Sequence, residues 1–309
     1  MKLFRKLSDF PDSLRGGAMA IGNFDGVHLG HATIVNRLKH FASELNSAAI
    51  IFTFDPHPVR LLRPEKAPPP LTWTNRKADL LAELGIDVVV AYPTNRDLLN
   101  LTYREFFDQI IVEKIGAKAM IEGPNFYFGR NREGNVNTLK KLCEESAISM
   151  EILEPVVETN EYISSSRIRK LVAEGDVDSA RSMLTQPYRI RGMVTHGAAR
   201  GSKIGFPTAN LKAIDTLIPA PGVYAGRTYI DRRAHWSAIN IGPNPTFGEQ
   251  NSKVESHILD FEASIYGQAV EVDFISRLRD IRQFESVDKL KAQLELDINA
   301  TRNIARAFN

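Results

Sequence analysis

Between residues 20 and 33 the chain reads Ala20-Ile-Gly-Asn-Phe-Asp-Gly-Val-His-Leu-Gly-His-Ala-Thr33, a spacing of residue types suited to chemistry on phosphate. Gly22, Gly26 and Gly30 permit tight turns and let the backbone approach a ligand closely. A helix starting near His28–Gly30 would aim free amides and the positive end of its dipole into the crevice beyond the preceding strand. His28 and His31 are three residues apart, so both imidazoles project from one side of the first helical turn. Two ring donors there can hold phosphate oxygens and stabilise charge building on an α-phosphorus. Asn23, Phe24 and Asp25 complete the turn. Metal ligation is the rival use of paired histidines, but the chain lacks HExxH and any cysteine nearby.

A second constellation spans Gly192-Met-Val-Thr-His-Gly-Ala-Ala-Arg-Gly-Ser-Lys-Ile-Gly-Phe-Pro-Thr-Ala-Asn-Leu211. A glycine loop bearing Arg200, Gly201 and Lys203 can fold over phosphates, with amides and cations facing the anion. Thr208 and Asn210 are two apart, so in an extended segment they share a face, and both offer neutral oxygens suited to Mg²⁺ bridging phosphates. On spacing alone a plain turn before a strand is the better reading of the same stretch. Glu255 alternates with His257, Leu259 and Phe261, which by pattern places it on a solvated outer strand face. His196 and His257 are expected to be structural, and Trp73 and Trp236 to be packing residues.

Positioning these groups requires two different architectures. In the first half, β-rich runs at 18–21, 48–54, 86–92, 117–121 and 149–153 alternate with helical spacing at 34–45, 77–84 and 103–113. That alternation predicts an α/β domain with a parallel sheet and right-handed crossovers. The proline-rich stretch 63–70 is a loop. From residue 188 the rhythm changes to strands at 188–195, 223–231, 234–241, 254–261 and 269–274, broken by Gly, Pro and Asn, which predicts an antiparallel barrel or sandwich. A helix at 286–307 closes the chain. The boundary is placed at Gln186-Pro187, giving domains of 1–186 and 187–309.

The 309 residues, 43% hydrophobic and 25% charged, have ordinary globular composition. With 39 basic and 37 acidic residues, no strong field recruits nucleic acid or an anionic membrane, so a polyanion must be held locally. The basic cluster Arg189, Arg191, Arg200, Lys203 lacks the interleaved aromatics that stack bases. One cysteine, Cys143, allows no internal disulfide and fits a buried thiol in the helical stretch 136–147. Neither a signal peptide nor an apolar run of membrane length is recognisable, and a cytoplasmic location is expected.

Gly22-Asn-Phe-Asp-Gly-Val-His-Leu-Gly-His31 resembles the HxGH signature of nucleotidylyltransferases, in the form found in bacterial bifunctional riboflavin kinase/FAD synthetases. Phe54-Asp-Pro-His-Pro58, Gly123-Pro-Asn-Phe-Tyr-Phe-Gly129 and Ile163-Ser-Ser-Ser-Arg-Ile-Arg169 follow in family order. In the second half Gly205-Phe-Pro-Thr-Ala-Asn-Leu211 resembles the riboflavin kinase signature, and Pro221-Gly-Val-Tyr-Ala225, the stretch 240–247 and Val254–Phe261 continue the match. Many family members carry Asp where this chain has Asn125 and Thr where it has Ser166.

The resemblance implies a Rossmann-like domain that adenylylates FMN to FAD and a barrel that phosphorylates riboflavin, both from ATP. It implies that His28, His31 and the Gly22–Gly26 turn hold the nucleotide, that Ser164 and Arg167 hold its leaving phosphates, and that Pro58 and Asn125 contact flavin. In the second half it implies Gly201 and Lys203 on ATP, Mg²⁺ at Thr208 and Asn210, and Glu255 as general base. Riboflavin, FMN and ATP are the expected partners, without nucleic acid or membrane, and an oligomer stays possible. A chain with one active half, or a flavin- or RNA-binding regulator without turnover, remains open at this point.

Overall fold

Strand β2 (Ala18–Ile21) is buried along its whole length because it runs through the middle of a parallel sheet. The computed structural model describes residues 1–158, 161–197, 200–243 and 253–308, the side chain of Arg200 excepted. The sheet is completed by β1 (Lys2–Phe4), β3 (Ala49–Asp55), β4 (Val88–Pro93), β5 (Ala119–Glu122) and β6 (Ser149–Ile152), in the order β1-β4-β3-β2-β5-β6. Every neighbouring pair is parallel. With β3 on one side of β2 and β5 on the other, the chain reverses its progress across the sheet there. Open α/β sheets bind ligands beyond the carboxyl ends of their strands at such a reversal.

Strand periodicity splits the core into two layers. Ala18 and Ala20 of β2 pack with Ile51 and Val89 against Val35 and Leu38 of α1 (Leu29–Glu44) and Leu80 and Leu81 of α2 (Thr74–Glu83). Met19 and Ile21 face the opposite way with Ile50 and Phe52. Covering that face are Phe106 of α3 (Tyr103–Phe106), Phe107 and Ile111 of the π-helical segment Phe107–Ile115, and Leu139 and Leu142 of α4 (Val136–Glu145). Small residues on one face of β2 let α1 approach closely. Each large aliphatic side chain buried on the other contributes about 1.5–3 kcal/mol.

Contacts divide the chain into two units, Met1–Pro68 with Trp73–Ser164, and Pro69–Thr72 with Ser165–Asn309. The second unit starts with α5 (Ser165–Glu174) and α6 (Val177–Met183). It continues with β7 (Tyr188–Thr195), β8 (Ala209–Lys212), β9 (Gly222–Ile230), β10 (Arg233–Gly242), β11 (Lys253–Ile258), β12 (Ala269–Arg279) and α7 (Val287–Phe308). These strands form a closed barrel, β7-β8-β11-β10-β9-β12, with antiparallel neighbours throughout. Ile190, Ile239, Val254, Val272 and Phe274 are buried. A hydroxyl cluster of Thr228, Ser237 and Ser256 is also fully buried, and its members satisfy one another at 2.7 and 2.9 Å. Arg277 fastens α5 and the barrel by donating to the carbonyls of Glu174 and Pro221 at 3.0 and 2.8 Å.

The expected strands are all present, within a few residues. The structure adds β1, an edge strand paired to β4, and β8, and it resolves barrel against sandwich in favour of a closed barrel. The stretch expected as one helix at 103–113 is instead α3 followed by π-helical turns that end at Gly116, a residue with φ 65°. No helix among the described residues is long and apolar enough to cross a membrane.

Candidate functional sites

The turn after β2 carries the first site. Gly22 N–H still pairs with Phe52 O at 3.0 Å, after which Phe24, Gly26 and Val27 take positive φ and swing the chain into α1. Phe24 and Val27 are buried in the core layer below, so the reversal is anchored by its own apolar residues. At the other flank the Glu122 carboxyl, deeply buried at the end of β5, accepts Ile21 N–H at 2.7 Å. β2 and β5 stop pairing backbone to backbone after Met19 and Met120, and this side chain satisfies the amide released there. Burial pushes the Glu122 carboxyl well above its ordinary range, against the pull of the Ile21 amide.

His28 is the N-cap of α1. It forms a reciprocal capping box with His31: each backbone N–H donates to the other ring's Nδ1 at 3.3 Å. The rings stack with centroids 3.6 Å apart, and Phe24 lies 4.9 Å from His31. With both Nδ1 atoms accepting, the neutral rings carry their protons on Nε2, which leaves two N–H donors for an oxyanion beside the helix start. A proton on either Nδ1 would oppose the amide that faces it. Burial brings the His28 pKa down to about 4 although Asp25 pulls it up. Burial, then the neighbouring charges of His28 and Lys77, hold His31 well below its ordinary value.

Gly30 makes room for this stacking. A Cβ there would sit 3.1 Å from Cε1 and Nδ1 of His28 and 3.7 Å from the Ile163 carbonyl. The segment ending at Ser164 therefore runs alongside the first turn of α1. Asn23 Oδ1 is buried without a partner, which is costly unless a ligand donates to it.

Pro58 and Asn125 occupy loops that follow β3 and β5, the two neighbours of β2, so all three loops leave the same rim of the sheet. Asn125 is exposed and Pro58 caps the short helix Val59–Leu62. Arg167 falls on α5 in the second unit, whereas Ser164 ends the first. Cys143 is buried beside Met120, and Trp73 is buried as packing. Lys77 was missed by sequence reasoning. It projects into the core side of α2, almost fully buried, and donates to Thr53 Oγ1 at 3.3 Å.

On the barrel, register assembles the second site. Thr195 lies opposite Asn210, Asn210 opposite Glu255, and Glu255 opposite Asn240, forming one row across β7, β8, β11 and β10. All four are partly exposed while their chain neighbours Val194, Ala209, Leu211, Val254, Ser256, Ile239 and Ile241 are buried, so the row faces out of the barrel. Thr208 precedes Asn210 by two residues and is likewise partly exposed. Pro207 is fixed by His257, whose Nδ1 lies 2.7 Å from the Pro207 carbonyl. His196 stacks on Tyr266 at 4.0 Å.

Gly197 covers the Asn210 amide so closely that a Cβ would fall 2.4 Å from Nδ2 and 2.7 Å from Cγ. Gly201 lies on the short helix Arg200–Lys203, with Lys203 exposed. The predicted roles of Arg200, of residues 198–199 and of 244–247 fall on a side chain or on residues outside those described. Thr208 and Asn210 present uncharged oxygens beside the Glu255 carboxylate, a donor set suited to a hard divalent cation shared with phosphates. Among the described residues no group of three or more His, Cys, Asp or Glu could hold a metal unaided.

Comparison with known proteins matches residues 10–167 to the FAD synthetase family and residues 184–305 to the riboflavin kinase family. The bifunctional riboflavin kinase/FMN adenylyltransferase of Pseudomonas fluorescens is 34% identical, over 99% of this chain and 98% of its own. The Haemophilus influenzae protein of the same name is 34% identical, over 100% of this chain and 99% of its own. A crystal structure from Streptococcus pneumoniae, described as a macrolide-efflux protein, aligns with a TM-score of 0.85 at 30% identity across 98% of both chains. Full-length similarity of this kind, with both family models matched in order, establishes that the chain belongs to the bifunctional riboflavin kinase/FMN adenylyltransferase family.

Proposed function

We propose that the chain converts riboflavin to FMN with ATP, and FMN to FAD with a second ATP. The observation that carries the adenylyl-transfer half is the His28–His31 capping box, which fixes both rings with Nε2–H donors at a helix start. An FMN phosphate oxygen attacks the α-phosphorus of ATP, the bond to the β-phosphate oxygen breaks, and pyrophosphate leaves. The nucleophile is already anionic, so no base is needed. His28, His31 and the α1 amides stabilise charge growing on the α-phosphate oxygens. Asn23 accepts a nucleotide donor, Gly22, Phe24, Asp25 and Gly26 shape the nucleotide turn, and Ser164 donates to the leaving phosphates. Arg167 is assigned to those phosphates on its sequence motif alone. Pro58 and Asn125 bound the flavin from the rim loops.

In the barrel, Glu255 takes the proton of the riboflavin 5′-hydroxyl as its oxygen attacks the γ-phosphorus, and ADP leaves. Thr208 and Asn210 would hold Mg²⁺, which supplies neutralisation of phosphate charge when bound. Gly201 and Lys203 contact the phosphates from the loop. Residues 1–186 are assigned to adenylylation and 187–309 to phosphorylation. Product chromatography after mixing the protein with riboflavin and Mg-ATP tests the reading. FMN should appear first and FAD should follow. Unchanged riboflavin, together with unchanged FMN in a parallel reaction, would sink it.

A further inference from the structure

Lys77 belongs to neither motif and to no role assigned above. It lies on α2, which follows β3, and only 8% of it is exposed. An ammonium carries three N–H donors. One is taken by Thr53 Oγ1 at 3.3 Å, and no ion pair closes on Lys77 among the described residues. Thr53, itself fully buried, donates a hydrogen bond from its hydroxyl to Asn23 O at 3.2 Å, so the Lys77 head group sits one side chain below the backbone of the nucleotide turn. Asp25 of that turn and His31 of the capping box both feel its charge. Burying an ammonium with donors unused is among the more costly arrangements a fold can keep, unless a ligand completes the shell.

We propose that Lys77 is a phosphate ligand of the adenylyl-transfer site, its two remaining N–H groups meeting an oxyanion of ATP or the 5′-phosphate of FMN. The inference rests on the adenylyl-transfer reading above and extends it to a residue outside the motifs. Beside two neutral histidines, Lys77 brings a buried positive charge to this site. It lies under the turn, where desolvation strengthens its pull on phosphate. Burial drags the ammonium below its ordinary range while Asp25 and Asp55 pull it back, and a bound phosphate would add to that pull.

The test uses the whole chain, whose riboflavin kinase reaction reports folding in the same sample. Lys77→Met keeps length and removes charge, Lys77→Arg keeps charge, and Thr53→Val cuts the link to Asn23 while leaving the lysine. FMN adenylylation is measured against ATP and against FMN, with inhibition by added pyrophosphate. Lys77→Met should lower kcat/KM by about 100-fold, as for loss of one charge-stabilising donor, and Lys77→Arg should recover at least about tenfold of this. A raised KM or weakened pyrophosphate inhibition on the ATP arm assigns the contact to the triphosphate. The same change confined to the FMN arm assigns it to the flavin phosphate. Thr53→Val should stay within about threefold of the unaltered protein.

Adenylylation by Lys77→Met within about threefold of normal would overturn the proposal, as would an equal loss in Thr53→Val. If the unaltered protein makes FMN yet never FAD, the reading of the first site fails instead, and that result is seen before any variant is compared. Loss of both reactions in Lys77→Met marks unfolding, and the Lys77→Arg and Thr53→Val pair then decides. A folded Lys77→Arg with adenylylation still down about 100-fold, or a Thr53→Val loss as large, overturns the ligand role.

Discussion

Arg279 at the end of β12 and Asp297 in the middle of α7 meet fork to fork, with Nε 3.0 Å from Oδ1 and Nη2 2.7 Å from Oδ2. Asp297 is 4% exposed and accepts a further bond from Gln293 Nε2 at 2.8 Å, so its carboxylate is saturated by its neighbours. The last helix is thereby tied to the barrel by a charged, oriented contact. Asp297→Ala strands the Arg279 guanidinium and should cost about 3 kcal/mol, more than its volume implies. Asp297→Asn should cost less. Thermal unfolding followed by circular dichroism, with kinase activity at low temperature as the control, reads the difference.

The capping box predicts separable activities. His28→Ala combined with His31→Ala removes two charge-stabilising donors and should cut FAD formation by about 1000-fold or more, while FMN formation from riboflavin persists. Equal loss of both in a folded protein would contradict separate sites. The single change Gly30→Ala is milder. Alanine favours the helix, but its Cβ would press on the His28 ring at 3.1 Å. Adenylylation should fall about tenfold with no drop in melting temperature.

His28 also sets a pH dependence. Its pKa is near 4 in the folded protein and 6.5 when exposed. Between these values the unfolded chain binds the proton and the folded one does not, so stability is fully present above pH 6.5 and declines as pH falls toward 4. The loss amounts to about 3 kcal/mol over that window. Urea unfolding at pH 7, 6 and 5 should show it, and His28→Asn, which keeps a capping side chain, should flatten the curve. Adenylylation should show no histidine titration between pH 8 and about 5.5, since both rings stay neutral.

On the barrel, Asn210→Ala should stop riboflavin phosphorylation and leave adenylylation of supplied FMN intact. Gly197→Ala should weaken the same step by displacing the Asn210 amide, which a Cβ would overlap at 2.4 Å. Raising Mg²⁺ should partly restore Gly197→Ala and not Asn210→Ala. A kinase indifferent to both changes would remove Asn210 from the metal site.

The strand, turn and helix around His28 were legible because glycine spacing, a short apolar run and a polar helix start all point to one geometry. Lys77 was passed over although the sequence carried a signal. It heads the stripe Lys77, Leu80, Leu81, Leu84, a lysine at a core-facing helical position. The stretch 103–113 reads as one α-helix because apolar spacing does not distinguish the wider π-helical turn found at Phe107–Ile115. Alternation identified the outward face of Glu255. It could not tell that Asn240 and Thr195 stand in the same row, since register is fixed by barrel closure and not by any one strand. Likewise β1 is too short and too charged to announce itself, and becomes a strand only because β4 offers a free edge.

With the row of Asn210 and Glu255 turned outward, the barrel keeps its packing apart from its candidate site. Residues such as Ile190, Val272 and Phe274 are buried inside it, so interior side chains of like volume can be exchanged without touching that row. Changes in substrate preference should therefore accumulate among the loops and outer positions beside Asn210 and Glu255, leaving the cylinder itself as a neutral support.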